Sequence, residues 1–259
     1  MYTIENNLIK ASFKLKGAEL FSLIKSGKEY MHDGKNYWSY HSPILFPQVG
    51  SNELIFDSKL YIQKNHGFAR LRNFKLLNHD NTSISFYLEA DRETLEQYPF
   101  KFYLEVKYVL EDNKLTISYL IKNKDAKIMP FGFGLHPAFK IDMGKAYIEF
   151  EVSEELKEIN NHSLKLNYEL FAKYKTILFK EPKSKFLYLN DDNRKIKITF
   201  DNFKYLALWK PLASDFVCIE PWLAYPRNLS GVEYKNFPDI INLAENKEYQ
   251  LSYQIEIIN

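Results

Sequence analysis

Apolar residues return at every second position over many short stretches of this 259-residue chain, the pattern of strands that bury one face. In "SISFYLEA" Ile84, Phe86, Leu88 and Ala90 share a side, in "KIKITF" Ile196, Ile198 and Phe200, and in "YQLSYQIEI" Tyr249, Leu251, Tyr253 and Ile255. The clearest unit is "FKFYLEVKYVLEDNKLTISYLIKN". Phe102, Leu104, Val106, Tyr108 and Leu110 alternate, the turn formers Glu111-Asp112-Asn113-Lys114 intervene, and Leu115, Ile117, Tyr119 and Ile121 resume the alternation. This predicts a long antiparallel hairpin. Helical spacing is scarce: a short helix is predicted at 92–98, stopped by Pro99, and another at 153–160 with Ser153 as its cap. No Pro/Gly/Ser-rich linker, charge block or internal repeat divides the chain. The expectation is one domain over 1–259, an all-β fold built as a large antiparallel β-sandwich with few short helices.

Charge narrows the partners. Lys and Arg number 35 against 33 Asp and Glu, a net of +2, which gives no broad field for nucleic acid or anionic lipid. The single cysteine, Cys218, excludes an intrachain disulfide and a cysteine-rich zinc site. The first residues, "MYTIENNLIKASFKLKGAEL", alternate rather than run apolar, so neither a signal peptide nor a membrane span is expected there, and the chain reads as cytoplasmic. Aromatic residues make up 16%, which suits strands and also a surface that stacks on sugar rings.

Walker loops, HExxH, GxSxG and spaced Cys/His sets are missing from the sequence. Three stretches place proton-active side chains among aromatics or turn formers: "NHGFAR" (65–70), "FGLHPAF" (133–139) and "CIEPW" (218–222). In "FVCIEPW" the alternation puts Phe216, Cys218, Glu220 and Trp222 on one face. Desolvation there raises a carboxyl pKa toward the range of a useful general base. Trp209, ending the alternating run "LALW", offers a flat surface for a sugar. Each residue also has an ordinary structural reading: a loop histidine for His66, a core imidazole for His136, an ion-pair partner of Arg70 or Arg227 for Glu220. His32, His41, His79 and His162 read as surface or structural residues.

Taken in order, "SPILFPQVG" (42–50), "NHGFAR", "YPFKFYLEVKYVLEDNKLTISYLIKN", "FGLHPAF" and "LALWKPLASDFVCIEPW" resemble the aldose 1-epimerase, or galactose mutarotase-like, family, in particular its bacterial lactose-operon branch. The resemblance implies a sugar cleft on one sheet of a β-sandwich. It also implies cofactor-independent interconversion of the α and β anomers of an aldose, with Glu220 as general base, His136 as general acid, and His66 and Arg70 contacting sugar hydroxyls. Trp209 is added as a stacking surface. The partner expected is a small-molecule aldose; monomer and homodimer both stay open. The chain departs from common family forms at Ser51-Asn52, at Leu135 and around Arg227, positions that bear on substrate identity. A sugar-binding module without turnover is one alternative. Another is a hexose-6-phosphate epimerase in which Arg70, Arg227 or Lys210 clamps a phosphate.

Overall fold

The computed structural model describes residues 1–50, 53–225 and 229–258. The predicted hairpin is its centre. Strands Phe102–Glu111 and Lys114–Asn123 pair through all ten positions, turning on Asp112 and Asn113, with Asp112 at φ +49°. Every even residue from Phe102 to Leu110 is buried, opposite the odd residues Leu115 to Ile121. Each large side chain so removed from water contributes about 1.5–3 kcal/mol.

Around this hairpin grows a nine-stranded antiparallel sheet. Its spatial order is Ser163–Lys165, Tyr147–Phe150, Phe186–Asn190, Lys195–Thr199, Glu248–Ile257, Lys114–Asn123, Phe102–Glu111, Ser83–Glu89 and Lys75–His79. A six-stranded sheet runs Thr176–Lys180, Tyr205–Trp209, Phe216–Trp222, Gly134–Leu135 and Ile44–Leu45, with Ala138–Lys140 also paired on Phe216–Trp222. The main core lies between these two sheets. Phe133 from the second sits 5.0 Å from Tyr119 of the first, and Leu206, Leu208, Val217 and Ile219 belong to the same cluster. The chain is thus an antiparallel β-sandwich.

The helices correct the sequence expectation in part. The first forms at Arg92–Gln97, with Asp91 and Thr94 capping each other reciprocally, and ends at extended Tyr98 before Pro99. No helix forms at 153–160. Glu154 is instead buried, its carboxylate accepting the backbone N–H groups of Lys183 and Ser184 at 3.1 and 2.7 Å, which holds the segment as a loop. The second helix is Tyr168–Tyr174, capped by Asn167, whose side chain accepts from Leu170 N. Of the surface and structural readings, His32 and His41 take the structural one, buried at 4% and 6% exposure. Among the described residues no helix is long and apolar enough to cross a membrane.

Candidate active site

The stretch "FGFGLHPAF" is explained by the side its residues face. Phe131, Phe133 and Leu135 enter the main core. Gly132, Gly134 and His136 therefore point to the outer face of the six-stranded sheet. A Cβ on Gly134 would stand 2.5 Å from Cδ1 of Trp222, so glycine is what lets that indole lie across the strand. On Phe216–Trp222 the same alternation sends Val217 and Ile219 inward, and Phe216, Cys218, Glu220 and Trp222 outward. Pro221 is tolerated because the N–H groups of Ile219 and Leu223 reach Pro137 O and Phe133 O; the donor that proline lacks falls in the gap between them. Glu220 consequently sits between two small apolar clusters, one with Trp222 and Tyr205, the other with Cys218 and Phe216.

His136 and Glu220 meet there, Nε2 to Oε2 at 3.1 Å, with side chains 7% and 2% exposed. Burial pushes the Glu220 carboxyl well above the usual carboxylate range, and the nearby Trp222 indole N–H opposes this without making a well-formed hydrogen bond. Burial also holds His136 well below its ordinary value, helped by His66 and Arg70. Both directions favour the uncharged form. A contact of uncharged groups at this distance is a hydrogen bond from the carboxyl O–H to the imidazole nitrogen. His136 Nδ1 is buried with no hydrogen-bond partner.

Loops cover this pair. Trp38 stacks on the His136 ring at 4.6 Å and 28°, and Trp209 meets the same ring edge-on at 5.5 Å and 79°. The two indoles are 5.8 Å apart. Trp38 is held by its carbonyl, which bonds His32 Nε2 at 2.9 Å, and His32 in turn stacks on Phe216 at 3.9 Å. Farther along that loop, Glu19 accepts from the backbone N–H groups of His41 and Ser42. His66 occupies a left-handed turn position, φ +69°, and approaches His136 edge-to-face at 5.6 Å. Its Nδ1 bonds Val49 O, and Nε2 faces Asn65 Nδ2 at 3.1 Å. Arg70 donates from Nη2 to Asn65 O at 2.8 Å and lies 4.7 Å from the Tyr40 ring centroid.

The structure thus brings His136, Glu220, His66 and Trp209 together, with Arg70 one contact further out. Trp38 and Tyr40 join them with no sequence motif to mark them; the aromatic density of "NYWSYHS" (36–42), just before "PILFP", is the one local clue. Lys210 does not join. It is buried, its ammonium donates to Ser214 O at 2.6 Å and Leu212 O at 3.3 Å, and burial lowers it to about 8. Glu220 pairs with His136 rather than with Arg70. Ser51, Asn52 and Arg227 lie outside the described residues. Leu135, another departure, packs inward at 3% exposure and so faces away from the pair. An open groove of about 470 Å³ on the nine-stranded sheet, lined by Glu105, Lys107, Ser118 and Gln250 among others, includes none of the site residues.

His66 carries a testable electrostatic consequence. Burial lowers it from 6.5 to about 4, with the Val49 hydrogen bond opposing and Arg70 assisting. Between those values the unfolded chain binds more protons than the folded one, so stability falls as pH drops through the window. His136 acts with the same sign; Glu220, shifted upward, acts with the opposite one. Urea unfolding at about pH 7 and about pH 4.5 is expected to show His66→Gln losing up to about 2 kcal/mol less than the parent chain. Equal losses would contradict a neutral, buried His66.

The sequence profile of the aldose 1-epimerase family matches residues 1–256. The plasmid-encoded protein LacX of Lactococcus lactis subsp. lactis is 27% identical over 300 aligned positions, covering 99% of both chains. A galactose mutarotase-like protein from Lactobacillus casei superposes with a TM-score of 0.92 at 26% identity over 99% of each chain. A galactose mutarotase related enzyme from Lactobacillus acidophilus gives 0.89 at 28% identity, over 100% of this chain and 97% of its own. Matched by the profile over nearly its whole length and alike to these relatives in fold and sequence, the chain belongs to the aldose 1-epimerase family.

Proposed function

We propose that the protein interconverts the α and β anomers of an aldose without a cofactor, using Glu220 and His136 as its proton-transfer pair. The observation that carries this reading is the buried 3.1 Å contact between them. One proton shared by two groups makes a base and an acid at once. In the ionised form the Glu220 carboxylate takes the proton of the anomeric hydroxyl while the imidazolium gives one to the ring oxygen. The C1–O5 bond breaks, leaving a free aldehyde, an uncharged Glu220 and a neutral His136. After rotation about C1–C2 the O5 hydroxyl adds to the other carbonyl face, returning its proton to His136 while Glu220 protonates the new O1. The ionised pair is restored and no electron changes hands. The uncharged form favoured by burial is thus the form held in the ring-opened state. Hydroxyl donors from a bound sugar stabilise the ionised one.

A sugar has to part the two groups and to deal with Trp38, which lies on the imidazole. In this reading Trp38 and Trp209 become the walls of the slot, His66 and Arg70 its polar rim. The test is the approach to anomeric equilibrium, followed by polarimetry or exchange NMR over neutral hexoses, pentoses and their 6-phosphates. Acceleration of at least one neutral aldose is expected, with Trp38→Ala raising KM about tenfold and changing kcat less. Sugar binding without acceleration would instead favour a module in which the Trp38 cover is permanent. A strict preference for phosphates would favour the phosphosugar reading, for which Lys210 is already committed to backbone carbonyls.

A further inference from the structure

We propose that His136, Cys218 and Glu220 form a three-ligand site for Zn2+, acting as an inhibitory cation rather than a cofactor. One donor atom from each residue lies within 4.8 Å of the others, and all three residues are buried. Tetrahedral zinc with thiolate, imidazole and carboxylate ligands holds those atoms roughly 3.3–3.6 Å apart. The His136–Glu220 edge, at 3.1 Å, is already close to that length. The widest edge, up to 4.8 Å, needs a contraction of roughly 1.2–1.5 Å, within reach of side-chain rotation.

Strand pairing supplies the arrangement. Cys218 and Glu220 are two apart on one strand and share a face, and the Ala138 that pairs with Cys218 lies just two residues beyond His136. An imidazole, a thiol and a carboxyl are a zinc donor set, and three protein ligands leave the fourth position open. The second imidazole nitrogen, Nδ1, is buried without a partner on a side chain only 7% exposed. No hydrogen bond at Nδ1 fixes the ring, and the Nε2 contact with Glu220 is the one that a cation replaces. Binding releases two protons to solvent, one from the Cys218 thiol and one shared by Glu220 and His136. Two negative ligands then offset the double charge of the ion. The resulting complex is neutral, which suits its apolar surroundings of Phe216, Trp38 and Trp209.

Loss of turnover on zinc binding rests on the function proposed above, because a pair bonded to metal has no proton to share. Binding itself does not rest on it. The experiment therefore reads binding first, by titrating Co2+ into the full chain and recording thiolate-to-metal charge-transfer absorption. Cys218 is the single cysteine, so that absorption has one source. The expected result is a band that Zn2+ displaces, that Cys218→Ala abolishes, and an affinity in the variant weaker by at least the roughly 10–100-fold that outer-sphere partners alone are worth. Anomer interconversion should be lost on adding Zn2+ to the parent chain and kept in Cys218→Ala, whose undiminished rate without metal also shows that it folds. Cys218→Ser serves the same purpose if the alanine variant is unstable. No charge-transfer band at millimolar Co2+, or equal cation affinity with and without the thiol, overturns the proposal. If no sugar is turned over at all, the spectrum still decides it.

Discussion

Glu220→Gln is expected to slow anomer interconversion by about 10²–10⁴-fold, the contribution of a single general acid–base group, while leaving the chain as stable as before or slightly more so. The amide keeps the shape of the carboxyl, and its N–H can donate to the neutral His136 ring as the protonated acid does. It removes a group whose ionised form is costly at 2% exposure. A variant that folds normally, binds sugar and has lost its rate separates chemistry from structure. The measurement is polarimetry beside thermal unfolding. A rate within a few-fold of the parent would remove Glu220 from the mechanism, and with it the role assigned to its contact with His136.

The second large effect concerns the backbone that carries His66 and Arg70. Gly67 sits at φ +71°, and a Cβ there would stand 2.2 Å from Phe46 O, 2.6 Å from Phe46 C and 2.9 Å from Pro47 N. That carbonyl cannot retreat freely, because it accepts the N–H groups of Phe68 and Ala69 at 3.0 and 3.2 Å. Gly67→Ala therefore combines left-handed strain with a backbone collision, about 1–3 kcal/mol for each, and is expected to cost roughly 3–5 kcal/mol. Gly231, at φ +77° with nothing within 4 Å of its added Cβ, is the control, since only the conformational part applies there. Urea unfolding of both variants isolates the close approach. Equal losses would mean that the turn accommodates the methyl group.

What could be read from sequence follows the range of the interactions responsible. Period-two alternation is local, so the hairpin from Phe102 to Asn123 and the outward face of Phe216–Trp222 were legible residue by residue. The helix expected at 153–160 failed because Glu154 is fastened to Lys183 and Ser184, a contact no local pattern announces. His136 and Glu220 could each be singled out as ionisable groups in apolar company. That they touch, and that burial favours the uncharged form of each, depends on strand pairing and on the loops packed above. Trp38 and Tyr40 come from one of those loops, where neither periodicity nor a motif marks them. Lys210 looked available as a cation only because the carbonyls that hold it are brought near by the turn that follows.

The placement of the indoles has an optical consequence. The chain contains three tryptophans. Trp38 lies on His136, Trp209 meets its edge, and Trp222 sits beside Glu220 on the same strand face. Emission excited at the red edge of the ultraviolet band comes from the indoles around His136 and Glu220 and from nowhere else in the protein. The native molecule is therefore its own fluorescent probe: under the proposed function, a sugar that parts Trp38 from the imidazole changes the colour of the emitted light, and the remote sheet stays dark.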